Sequence, residues 1–174
     1  NVAADTIRVA LIIELSLVRG ALAALLANET DMSVIAGLSS GDRLLPSVLR
    51  HRPDVVVIDV DQGGSDMLEV VRSLHERQPD CRVVVLVGSR RPGLVRRTLE
   101  LPVAGVVDTD SQPQRLVTTI RQVARGKRAI DPALAVVAVA VAGSPLTPRE
   151  LTVLDLAAGG ASPKEIAQQL YLTK

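Results

Sequence analysis

Two carboxylates stand where aliphatic runs end: Glu14 closes the run 7–13, and Asp59 follows Val55, Val56, Val57 and Ile58. Open α/β sheets place their sites at the carboxyl edge of the strands, so carboxylates there are positioned for chemistry. If the two strands are neighbours, Glu14 and Asp59 face one cleft. Convergent carboxylate oxygens suit a hard cation such as Mg²⁺, and an aspartate beside such an ion can accept a phosphoryl group. The plainer alternative is a solvated carboxylate at a strand end, and spacing alone does not separate the two.

The elements that must hold these groups are legible from periodicity. Short aliphatic runs at 8–13, 33–37, 54–58, 82–87 and 103–107 are rich in Val and Ile and flanked by charge or Pro. They read as buried parallel strands. Between them Leu17, Leu22, Leu25 and Leu26 form one apolar stripe, Leu68, Val71 and Leu74 a second, and Leu116, Ile120 and Val123 a third. Alternation of this kind predicts an α/β fold, a five-stranded doubly wound parallel sheet over residues 1–126. A linker at 127–145 follows. It is read as a helix after Asp131-Pro132, packed either on its own domain or against a second copy.

Composition narrows the function classes. The 174 residues are 47% apolar, enough for one core and a small appendage, and carry a net charge of +1. Tyr171 is the sole aromatic residue, so no stacking platform for single-stranded nucleic acid exists. Cys81 is alone, which rules out an internal disulfide and suits a reducing cytoplasm. The longest apolar run, 133–143, is too short to span a bilayer, so no membrane association is expected. His51 and His75 lack metal-ligand spacing, and neither a P-loop nor a nucleophile elbow is present. Arg90, Arg91, Arg96 and Arg97 crowd the start of one helix. That cluster reads as a solvated basic face, a partner surface or a small-anion site.

The last stretch changes character. Thr147-Pro148-Arg149-Glu150 and Ser162-Pro163-Lys164-Glu165 share one form: a hydroxyl N-cap, Pro at the first helical position and Glu at the third. Two helices are expected, lined by Leu151, Leu154 and Ala158 and by Ile166, Ala167 and Leu170, with Gly159-Gly160 between. Thr173 would cap a third.

Residues 7–22, "IRVALIIELSLVRGAL", and 52–74, "RPDVVVIDVDQGGSDMLEVVRSL", resemble the receiver domain of bacterial response regulators. Residues 146–170, "LTPRELTVLDLAAGGASPKEIAQQL", resemble the LuxR-type helix-turn-helix of the NarL/FixJ family. The resemblance covers nearly the whole chain. It implies a flavodoxin-like receiver, a linker helix and, over 146–174, an incomplete all-α helix-turn-helix domain whose recognition helix would follow Thr173. Asp59 falls on the family's phosphoacceptor. The acidic pair that ends the first strand becomes Ile13 and Glu14. The hydroxyl after the fourth strand becomes Val87, the lysine after the fifth becomes Thr109, and the aromatic switch residue becomes Val106.

The physical consequence follows from the side chains. Ile13 offers no oxygen to a cation, Val87 donates nothing, and loss of the lysine removes a charge-assisted bond. The expectation is an atypical receiver that acts without phosphotransfer, with weak or absent Mg²⁺ binding and no enzymatic activity. Partners implied are DNA, a second copy of the chain, and a sensor kinase or a small ligand. Lys164, Gln168, Gln169 and Lys174 are candidates for the DNA backbone, contacts that position without specifying sequence. The 174 residues by themselves are expected to bind operator DNA weakly or not at all. Two other readings remain open: an interaction or ligand-sensing module without DNA, and a flavodoxin-like nucleotide binder.

Overall fold

The computed structural model describes residues 6–39, 43–142, 150, 153, 156–157 and 162–169, without the side chains of 64, 65, 141, 142 and 169. Five strands follow from the Val- and Ile-rich runs: β1 (Ile7–Ile12), β2 (Met32–Leu38), β3 (Val55–Asp59), β4 (Arg82–Val87) and β5 (Gly105–Asp108). All pair in parallel; β3, β4 and β5 are buried along nearly their whole length, as inner strands of a parallel sheet should be, while β2 lies at the edge and is only partly covered. The five strands expected are therefore present, but the sheet has six. The sixth, β6 (Ala129–Ile130), extends the order to β2-β1-β3-β4-β5-β6. It lies in the segment read as linker. Two residues give too short a pattern to recognise, and pairing with Gly105 and Val106 supplies the order instead.

Each face of the sheet is covered by helices. α1 (Ser16–Ala27) and α5 (Pro113–Ala124) pack against Val9, Leu11, Ile13, Val57, Leu86 and Val107. On the other side α2 (Leu44–His51), α3 (Gly64–Arg77) and α4 (Pro92–Leu99) cover Ile12, Ile58, Val85, Val87 and Val106. Proline opens α4 and α5 at the first helical position, where its missing N–H costs nothing. Gly105 admits α5 closely: a Cβ there would lie 2.7 Å from Thr119 Cγ2.

α6 (Pro132–Ala142) docks on α4 through Leu134, which is fully buried. Asp131 starts it. Its Oδ1 accepts the Ala133 amide at 3.1 Å, and its Oδ2 accepts the Ser111 hydroxyl at 2.6 Å and lies 3.7 Å from Arg115 Nε. The helical reading after Asp131-Pro132 therefore describes a helix pinned to the receiver. The last described helix, α7 (Pro163–Gln169), opens with the expected capping box. Glu165 Oε2 accepts the Ser162 amide at 2.7 Å, and the Glu165 amide points back to Ser162 Oγ at 3.4 Å. The cap at Thr147, the stripe residues Leu151, Leu154, Ala158 and Leu170, the Gly159-Gly160 break, and Thr173 and Lys174 lie outside the described residues.

A charge clamp closes the far edge. Arg121 on α5 donates two bonds to Asp31, at 2.7 and 2.8 Å, and one to Glu29 at 2.5 Å. The Arg121 hydrogen bond, foremost, holds the Asp31 carboxyl below the usual value. A carboxyl depressed by folding adds stability above its unfolded pKa and loses it as pH falls through the folded value. Arg121→Gln should therefore lower the thermal midpoint at pH 7. The gap to wild type should close as pH drops below about 4, the ordinary carboxyl range. Melting curves across that range check it; a gap independent of pH would contradict the sign.

Candidate functional site

The carboxyl ends of β1, β3, β4 and β5 meet at one edge, as the sheet order requires. β1 and β3 are direct neighbours, with Ile12 opposite Ile58, so Glu14 and Asp59 emerge on the same rim. Glu14 is exposed and Asp59 half-buried. What shapes Asp59, however, is its own turn. Asp59 Oδ1 accepts the Asp61 amide at 2.9 Å. Burial, foremost, pushes the Asp59 carboxyl up, with the charge of Asp61 adding to the rise.

Asp61 holds the centre of the rim. Its Oδ2 accepts the Gly88 amide at 2.8 Å and the Thr109 hydroxyl at 3.4 Å. Arg91 Nη1 donates to the Asp61 carbonyl at 2.6 Å and stands 4.0 Å from Oδ1. Oδ1 is itself buried and accepts no hydrogen bond among the described residues. Desolvation, foremost, pushes the Asp61 carboxyl up, against the Gly88 amide and Arg91, which favour its charge. Asp108, buried at the end of β5, accepts the amides of Ser89 at 3.3 Å and Asp110 at 3.1 Å. Gly88 suits this closeness: a Cβ would sit 3.1 Å from Asp61 Oδ2 and 3.2 Å from Thr109 Oγ1, and either side chain would have to shift.

Of the remaining candidate positions only Thr109 brings a polar group to the rim. Ile13 is fully buried in the cluster under α1 and α5, and Val87 and Val106 are fully buried in the opposite cluster under α3, α4 and α6. Thr109 reaches the rim and is engaged by Asp61. The four arginines do not gather into one anion cradle. Arg90 pairs with Asp110 at 3.6 Å, Arg91 turns to Asp61, Arg96 pairs with Glu100 at 3.2 Å, and Arg97 sits beside Arg72. Arg90 and Arg91 precede α4 while Arg96 and Arg97 lie within it, so the four point to different surroundings. Lys164 and Gln168 are exposed on α7; the side chain of Gln169 and the whole of Lys174 lie outside the described residues.

This donor set does not fit a divalent cation. Ile13 supplies no oxygen, and among the described residues no three His, Cys, Asp or Glu side chains gather as a metal site. The cation nearest the Asp61 carbonyl and carboxylate is the Arg91 guanidinium. Asp61 is the rim residue that the sequence did not single out, and Arg91, expected only as one of the basic cluster, turns out to be its neighbour. The available signal was the spacing Asp59-Val60-Asp61, which puts a second carboxylate one turn residue beyond the strand.

A model of the response regulator receiver domain matches residues 9–121, and one of bacterial regulatory proteins of the luxR family matches residues 144–174. The chain belongs to the luxR-type response regulators. These are DNA-binding regulators of two-component systems, so the expected resemblance holds over both parts. The transcriptional regulatory protein DesR of Bacillus subtilis is 36% identical over 88% of this chain and 75% of its own length. The response regulator RamR of Streptomyces coelicolor is 35% identical over 98% of this chain and 83% of its own length. RcsB of Salmonella enterica serovar Typhimurium, solved on the rprA promoter, superposes with a TM-score of 0.71 at 17% identity, over 97% of this chain and 85% of that one. At that identity the likeness speaks for the fold. No helix among the described residues of this response regulator is long and apolar enough to cross a membrane.

Proposed function

We propose that this response regulator binds DNA as a homodimer and that its receiver works without a phosphoaspartate at Asp59. The observation that carries the reading is the state of the rim around Asp59. The acid position holds a buried Ile13, the hydroxyl position a buried Val87, and the basic position a Thr109 already bonded to Asp61. An acyl phosphate is a dianion and needs cations and donors around it. Here Asp59 feels the Asp61 carboxylate, which repels it, and an Arg91 turned to Asp61. The input is then a partner protein or a small molecule that shifts the receiver's packing.

The DNA-facing part rests on the luxR-type segment 144–174, with Lys164 and Gln168 as contacts to phosphates that fix position. RcsB dimers bound to DNA support the dimeric arrangement by fold. A retardation assay with the full-length protein, on fragments selected from its own genome, tests the reading. The expected result is one retarded species of dimer stoichiometry, with equal affinity in the presence and absence of a small phosphodonor and Mg²⁺. Phosphodonor-dependent binding would overturn it.

A further inference from the structure

The rim contains an anion subsite, and the chain fills it from within. Three donors converge there from three separate connections: the Gly88 amide after β4, the Thr109 hydroxyl after β5, and the Arg91 guanidinium at the start of α4. All three are directed at one residue. Asp61 Oδ2 takes the amide at 2.8 Å and the hydroxyl at 3.4 Å, while Arg91 Nη1 lies 2.6 Å from the Asp61 carbonyl and 4.0 Å from its Oδ1. The amide and the hydroxyl meet on Oδ2, and the guanidinium, bonded to the carbonyl, stands beside the same carboxylate as a positive charge; together they suit an oxyanion. The absence of a Cβ at position 88 keeps the point open, since one would crowd both Asp61 Oδ2 and Thr109 Oγ1.

We propose that Asp61 is the resident anion of this receiver: its carboxylate occupies an oxyanion subsite built from Gly88, Arg91 and Thr109, and ties the β3, β4 and β5 connections into one fixed arrangement. The subsite takes a small external oxyanion, phosphate or a carboxylate, only when the Asp61 side chain is removed. This deepens the reading that the receiver dispenses with a phosphoaspartate, because the groups that would hold a phosphoryl oxygen are already engaged. A free oxyanion must displace a carboxylate that is covalently held in place, and such a tethered competitor has a high effective concentration.

Titration with inorganic phosphate, without any phosphodonor, tests it on the intact chain by following the Gly88 amide resonance. Wild type should give no saturable shift. Asp61→Ala should give a saturable shift, and adding Arg91→Gln to that variant should weaken the affinity by about tenfold or more, the loss of one charge-assisted contact. Amide exchange at Gly88 should speed up in Asp61→Ala with the fold retained. If Asp61→Ala unfolds, Asp61→Ser, which keeps a polar group but not the charge, is read in the same way. Saturable binding to wild type as tight as to the variant, or no binding to a folded variant, overturns the proposal. Phosphotransfer to Asp59 plays no part in this readout. Failure here therefore leaves phosphodonor labelling to decide the parent reading separately.

Discussion

Ile13→Asp should destabilise the chain by about 3–5 kcal/mol at neutral pH, the usual cost of an uncompensated charge in an interior. Position 13 is where receivers commonly carry an acid, so the substitution looks like a repair. The structure gives the opposite outcome. The Ile13 side chain is fully buried among Leu11, Leu26, Val57 and Leu86, an apolar surrounding for a carboxylate. The Arg19 guanidinium is engaged by the backbone, at 2.5 Å from the Ile13 carbonyl and 3.4 Å from that of Glu14. The introduced carboxyl would titrate well above its ordinary value. Folding would thus bind a proton that the unfolded chain gives up, so the deficit should shrink as pH falls. Ile13→Val, which keeps the apolar contact, should cost about 1 kcal/mol. Denaturant midpoints at two pH values check all three points. A stable Ile13→Asp variant that also binds Mg²⁺ would show that the side chain can reach the rim.

The second large effect concerns the helix that leaves the receiver. Leu134→Ala should cost about 2–4 kcal/mol, the range for emptying a fully buried leucine site. Leu134 belongs to the cluster that holds Leu94 and Val95 of α4 and Val106 of β5. The substitution therefore loosens α6 from the element next to the rim. Val136 and Val139 are 70% and 74% exposed, so shortening either to Ala should change stability by under about 0.5 kcal/mol. Denaturant midpoints distinguish the two faces. Equal losses at 134 and 139 would mean that α6 is docked differently.

The contrast between these two positions shows what the chain reveals before folding. Strands β1, β3 and β4 are dominated by Val, Ile and Leu, with charge only at their ends, and the burial of their central residues follows from that. α6 is different. The segment "PALAVVAVAVA" is apolar all round, so no stripe says which side meets the receiver. Contact with α4 and the Asp131 cap make that choice, and both are tertiary. β6 is two residues long and exists because the β5 edge was open to pair.

The site divides in the same way. Asp59 was recognisable as a carboxylate closing a strand. The polar replacement at Thr109 and the apolar ones at Ile13, Val87 and Val106 were readable one by one. Their sum gave the expectation of a receiver without phosphotransfer, but not the contacts that Asp61 makes on the rim. Asp61 follows the strand by two residues and looks like an ordinary turn aspartate, which indeed donates its amide to Asp59. Only the parallel pairing of β3 with β4 and of β4 with β5 brings Gly88 and Thr109 onto its carboxylate. Arg91 sits one position from Arg90 and has the same chemistry, yet one faces Asp61 and the other Asp110. Backbone direction at the start of α4 separates them, and no spacing rule encodes it.

On the proposed reading, the surroundings of Asp59 cannot sustain a phosphoaspartate. Intact mass of the wild-type chain after incubation with Mg²⁺ and an excess of a small phosphodonor tests it most directly. The mass should stay unchanged, with no fraction of the chain gaining a phosphoryl group. A stoichiometric adduct that Asp59→Asn abolishes would contradict it.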